Sequence, residues 1–114
     1  LTGTTATGTM FVPGDMDGAF AEVLIEPSGT LTSIVLTVNG KSMTLSGLSV
    51  SSSSTVVIDY DDKMIQSIRT GTTSLLNKRT GADDLLLKCG EENTLGITAN
   101  VSCDVTFSGR GLWL

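Results

Sequence analysis

The sequence predicts an all-β chain, an antiparallel β-sandwich or jelly roll of about nine strands. Three observations carry that expectation. Apolar residues recur with a period of two, as in Val101-Ser102-Cys103-Asp104-Val105-Thr106-Phe107-Ser108, which puts one face of a strand in a core and the other in water. Turn residues punctuate such segments at short, regular intervals. The composition, 17% charged and 39% hydrophobic with thirteen glycines and many Ser and Thr, suits a β-rich globular domain and not a disordered one.

Taken in order, residues 9–12 and 22–26 read as the first strands, separated by Pro13-Gly14-Asp15, and Pro27-Ser28-Gly29 turns the chain again. Residues 33–38 and 41–46 flank Asn39-Gly40. That pair is the strongest two-residue hairpin signal, because a type I′ turn needs positive φ at both central positions. A serine run at 51–54 reads as a loop. Residues 55–60 and 63–69 then flank Asp61-Asp62, a second tight turn, and residues 84–89 make a further short strand. Residues 94–99 and 101–108 read as a closing hairpin turning at Asn100. Only residues 73–78 lack alternation, leaving room for at most one helical turn. With no repeat and no boundary, residues 1–114 form a single domain, long enough to bury one core without metal or disulfide help. Val101, Cys103, Val105 and Phe107 are expected in that core, and Tyr60, which shares a face with Val56 and Ile58, is expected to be half-buried.

Several functions are disfavoured by residue type alone. The chain has no histidine, so it offers no imidazole base, triad or metal ligand. Seven scattered cations against twelve acids, a net charge of −5, argue against nucleic acid, which needs clustered Lys and Arg. No apolar run approaches the length of a membrane span, so the expectation is a soluble domain. Cys89 and Cys103 fit either one bridge or two thiols, and intracellular habit favours thiols; two cysteines without histidine make a poor metal site. No cationic leader followed by an apolar stretch opens the chain, so no signal peptide is expected; the start at Leu1 instead of Met suggests a processed protein or, the favoured reading, a domain cut from something longer.

Carboxylates pair at Asp59/Asp61/Asp62, Asp83/Asp84 and Glu91/Glu92, and glycosidases do use two acids held across a bond. Each group here falls at a turn, where acids serve local hydrogen bonds and solvation. Gly14-Asp15-Met16-Asp17-Gly18 is a fragment of a calcium loop without the further ligands such a loop requires. Asn100-Val101-Ser102 matches a glycosylation acceptor but has no secretion leader to support it. The expectation is therefore no catalytic residue, no cofactor and no metal.

Carbohydrate binding is the rival to a docking role, because sugar-binding sandwiches stack rings on exposed aromatics. The chain offers Trp113, Tyr60, Phe11, Phe20 and Phe107, a sparse set. Leu112, Trp113 and Leu114 form the candidate contact patch for a partner.

Read together, several segments resemble the carboxy-terminal domain of siphovirus distal tail proteins. Val12-Pro13-Gly14-Asp15-Met16, followed by residues 20–26, is similar to that family's Asn-Pro-Gly-Asp stretch leading into a strand. Val38-Asn39-Gly40-Lys41 and Leu45-Ser46-Gly47 resemble its central hairpin. Val57-Ile58-Asp59-Tyr60 resembles its Ile-Asp-Thr strand end. Gly90-Glu91-Glu92-Asn93-Thr94 resembles its Pro-Gly-x-Asn turn, and residues 107–114 resemble its Arg-x-x-Trp-Leu finish. Val12 and Cys89 depart from the pattern, standing where Asn and Pro are usual, and residues 17–21 lack the proline often found there. The resemblance implies a galectin-like sandwich that follows an amino-terminal domain forming a hexameric ring below the tail tube. It implies a virion-tail component, assembled in the bacterial cytoplasm, that presents a surface to baseplate or receptor-binding proteins without catalysis.

Overall fold

A computed structural model describes residues 1–12, 19–60, 66–81 and 85–111. The strands run in chain order as β1 (Thr2–Phe11), β2 (Ala19–Pro27), β3 (Leu31–Val38), β4 (Lys41–Val50), β5 (Val56–Tyr60), β6 (Gln66–Thr70), β7 (Thr73–Ser74), β8 (Arg79–Gly81), β9 (Leu86–Leu87) and β10 (Glu92–Gly111). A single 3-10 turn, Leu76–Lys78, falls where the alternation lapses. All ten strands belong to one antiparallel sheet that curls on itself, in keeping with an all-β sandwich or half-barrel.

The organising element is a ribbon. β2 and β3 follow one another along the same flank of β10, β2 against its second half and β3 against its first. Between them the ladder slips, since Cys103 faces Pro27 whereas Ala99 faces Ile34. Beyond β3 the sheet continues through β4 to β8; beyond β2 it continues through β5 and β6 to β7, with β9 beside the start of β2. β1 lies on the opposite flank of β10. One long strand thus serves both halves of the sheet, and bending it brings their apolar faces together.

This arrangement corrects the closing hairpin. Residues 94–108 do not reverse at Asn100; they run straight through it inside β10. Asn100 instead uses its side chain as a clamp. Its Oδ1 accepts hydrogen bonds from the backbone N–H of Thr32 (2.8 Å) and Ser33 (3.2 Å), and its Nδ2 donates to the carbonyl of Thr30 (3.0 Å). The amide therefore satisfies the backbone exposed by the slip between β2 and β3. The strand expected at 9–12 also proves longer, extending back to Thr2.

The central hairpin is as expected. Asn39 has φ 51° and Gly40 φ 85°, the two positive values a type I′ turn demands, and Val38 pairs with Lys41 across it. β4 continues past the expected end at Ser46 because Gly47, at φ 68°, absorbs one residue and resets the alternation. Met43 and Leu45 are inward before it, and Leu48 and Val50 inward after it.

The core takes Val23 and Ile25 from β2, Ile34, Leu36 and Val38 from β3, Met43 and Leu45 from β4, and Val56 and Ile58 from β5. Each such side chain contributes about 1.5–3 kcal/mol on burial. Cys103 and Val105 are buried as expected, while Val101 and Phe107 are only partly covered, at the margin of the core. Tyr60 is more deeply buried than expected, and its hydroxyl accepts a hydrogen bond from Gln66 Nε2 at 2.9 Å. Both cysteines are free thiols, and burial pushes the Cys103 pKa up. Among the described residues no helix is long and apolar enough to cross a membrane.

Candidate functional site

Among the described residues, a shallow concavity opens on the sheet over β1, the first half of β10 and β3. Register decides which side chains line it. Thr5 faces Thr98, Thr7 faces Gly96 and Thr9 faces Thr94 across the β1–β10 ladder. On the other flank Gly96 faces Thr37, which faces Ser42. Because alternate residues share a face, the threonines form rows running across the strands, with Gly96 as the floor between Thr7 and Thr37. The trough is lined by Thr5, Thr7, Thr9, Thr37, Thr94 and Thr98 around that glycine. A Cβ on Gly96 would sit 3.6 Å from Thr37 Cβ and 4.0 Å from Thr7 Cγ2, ordinary contact distances.

Two asparagines hold this face in register at its end. Asn39 Oδ1 accepts the backbone N–H of Thr94 at 3.0 Å, while the Asn39 N–H donates to the Thr94 carbonyl at 2.9 Å. Asn39 Nδ2 donates to Asn93 Oδ1 at 2.8 Å. Among the described residues Asn93 is the one polar side chain that is fully buried. Its Oδ1 also accepts the Lys88 N–H (2.7 Å), and its Nδ2 donates to the carbonyls of Lys88 (2.9 Å) and Met10 (3.2 Å). One amide thereby joins β1, the β3–β4 turn and the segment before β10. Asn93 appears in the sequence only as part of a turn motif, and nothing in its local pattern announces bonds to residues as distant as Met10 and Asn39.

The chemistry available on the face is that of hydroxyls, methyls and backbone amides. Such groups recognise and position; they do not transfer protons near neutral pH. Asp59, grouped above with turn acids, lies in β5 and forms a two-pronged pair with Arg69 on β6, at 2.8 and 2.9 Å. The hydrogen bond to Asp59, and secondarily its charge, push the Arg69 pKa up, so that guanidinium stays protonated. Glu91 and Glu92 are exposed at the approach to β10. Among the described residues no three His, Cys, Asp or Glu side chains gather as metal ligands. Asp15, Asp17, Asp61, Asp62, Asp83 and Asp84 lie outside the described residues.

The candidate contact patch, Leu112, Trp113 and Leu114, also lies outside the described residues. Of the aromatics, Tyr60 is removed as a stacking platform by burial, and Phe107 is only partly exposed. Phe11, 60% exposed at the end of β1, is open to a partner. No family model, no curated protein and no solved structure matches the chain.

Proposed function

We propose that this chain is a structural interaction module of a phage or prophage tail tip, a peripheral β-sandwich that docks partner proteins and performs no reaction of its own. The reading rests on the ordered series of segments, from Val12-Pro13-Gly14-Asp15 to the 107–114 finish, that resembles the distal tail family. The observation that supports a docking role most is the character of the described surface. A concavity on it is an uncharged, threonine-lined sheet face, and Asp59, an acid of β5, is engaged by Arg69. In this reading the partners are other baseplate proteins, a receptor-binding protein among them, and the copies are held as a hexamer by an amino-terminal domain that precedes the chain.

The test is compositional. Particles purified after induction of the host should contain the chain in their tails, and antibodies raised against it should label the tail tip in electron micrographs. Its absence from intact particles would end the proposal. The genes alongside give a second test: a tape-measure gene upstream and a tail-associated hydrolase downstream are expected.

Carbohydrate binding stays as the second reading because the trough presents several hydroxyls beside an exposed Phe11. Titration with simple sugars separates the two. Millimolar or tighter binding, lost on Trp113→Ala or Gly96→Val, would favour the sugar reading.

A further inference from the structure

β1 has one flank on β10, and among the described residues no strand pairs its other flank. Which backbone groups face that open side follows from the hydrogen bonds of β10. The Thr94 carbonyl accepts from Asn39, and the Ser102 carbonyl accepts from Ser28, so even-numbered residues of β10 direct their backbone groups away from β1. Val105 exchanges both backbone bonds with Leu1, so odd-numbered residues point toward it. In an antiparallel ladder, a residue opposite one that points away points away itself. Ala6, Gly8 and Met10, opposite Ile97, Leu95 and Asn93, therefore bond to β10. Thr5, Thr7 and Thr9, opposite Thr98, Gly96 and Thr94, send their N–H and C=O groups outward.

An exposed row of this kind templates another strand, and folds commonly blunt it with Lys, Pro or short length. β1 has ten residues and carries no charge and no proline. Its sequence also has a symmetry. Thr5-Ala6-Thr7-Gly8-Thr9 reads nearly the same in both directions about Thr7. A two-fold interface requires that kind of self-complementarity, since the same patch must meet itself.

We infer that the open edge of β1 pairs antiparallel with the β1 of a second copy of this chain, on a two-fold axis through Thr7. Thr7 meets its own counterpart, and Thr5 meets Thr9 of the other copy. These three positions are the ones whose backbone groups face outward, so every pair exchanges both main-chain bonds. On the trough face the pairs are Thr–Thr contacts, among the favourable cross-strand combinations. On the other face Ala6 lies opposite Gly8, small against small, so the backbones approach without a clash. The strand is uncharged, so the chain's net charge of −5 places no like charges on the axis. The threonine face then continues across both copies as one surface. The inference does not depend on the tail reading.

The test is sedimentation velocity of the 114-residue chain over a range of concentrations, with circular dichroism to verify folding. The native chain is expected to show a concentration-dependent monomer–dimer equilibrium. Thr7→Lys and Thr7→Glu each place two like charges on the axis and should weaken dimerisation at least about tenfold. An equimolar mixture of the two variants should recover the dimer, because Lys then faces Glu. Thr7→Pro, which removes an outward N–H that β10 does not use, should stay folded and monomeric. A native chain that stays monomeric at millimolar concentration would overturn the inference. So would a Lys–Glu mixture that behaves as two monomers, because the axis would not then pass through residue 7.

Discussion

Two parts of the sheet's margin, the short strands at the β7 and β8 ends and the open flank of β1, differ in how they are finished. On the β5–β8 side the strands are short, and side chains tie them down. Arg69 grips Asp59, Gln66 bonds Tyr60, and Arg79 of β8 bonds Gln66 of β6, linking the two wings of the sheet. Charges set along a margin discourage further pairing. On the β1 side the strand is long and uncharged, and it is half-buried along its inner row. The difference teaches that one side of this sheet is closed by specific contacts, while the other keeps its main-chain bonding capacity available.

The comparison can be broken at several points. The largest effect is expected at Asn93, which anchors β1 to the rest of the sheet. Asn93→Ala leaves the Lys88 N–H and carbonyl without their partner and should cost about 3 kcal/mol or more in urea unfolding. A loss under about 1 kcal/mol would mean the β1 margin is held by its ladder alone. Next comes the hairpin that presents Asn39 to Thr94. Gly40→Val forces a β-branched residue to positive φ and should cost about 1–3 kcal/mol. On the closed side, Arg69→Met should lower stability only slightly in urea unfolding, because the pair is largely exposed, and raised salt should shrink the loss. A large loss would make that salt bridge a structural mainstay and not a guard. The smallest effect belongs to Thr7→Lys, which should change monomer stability by no more than about 0.5 kcal/mol, since the side chain points to solvent.

Much of this was legible in the sequence. The period-two pattern gives the all-β class, and Asn39-Gly40 gives the central turn with the correct backbone geometry. The expected closing hairpin fails for a physical reason. Leu95, Ile97, Ala99, Val101, Cys103, Val105 and Phe107 hold one unbroken odd-numbered phase, which a turn at Asn100 would have disrupted, yet asparagine is a strong turn signal. Its amide instead satisfies the backbone of a segment about 70 residues away, which no local window can reveal. Residues 1–8 give little strand signal, because their Thr and Gly carry little apolar alternation. That strand is stabilised by its place beside β10, not by its own burial. The threonine face was invisible for the same reason: it exists only once register sets β1, β10 and β3 side by side.

Amide hydrogen exchange along β1, read residue by residue by NMR at low and high protein concentration, tests the claim that this margin is both formed and open. In dilute solution the amides of Ala6, Gly8 and Met10 should be protected and those of Thr5, Thr7 and Thr9 should exchange freely, the latter slowing as concentration rises. Uniformly fast exchange along the strand, or a Thr7 amide already protected at the lowest concentration, would contradict the account.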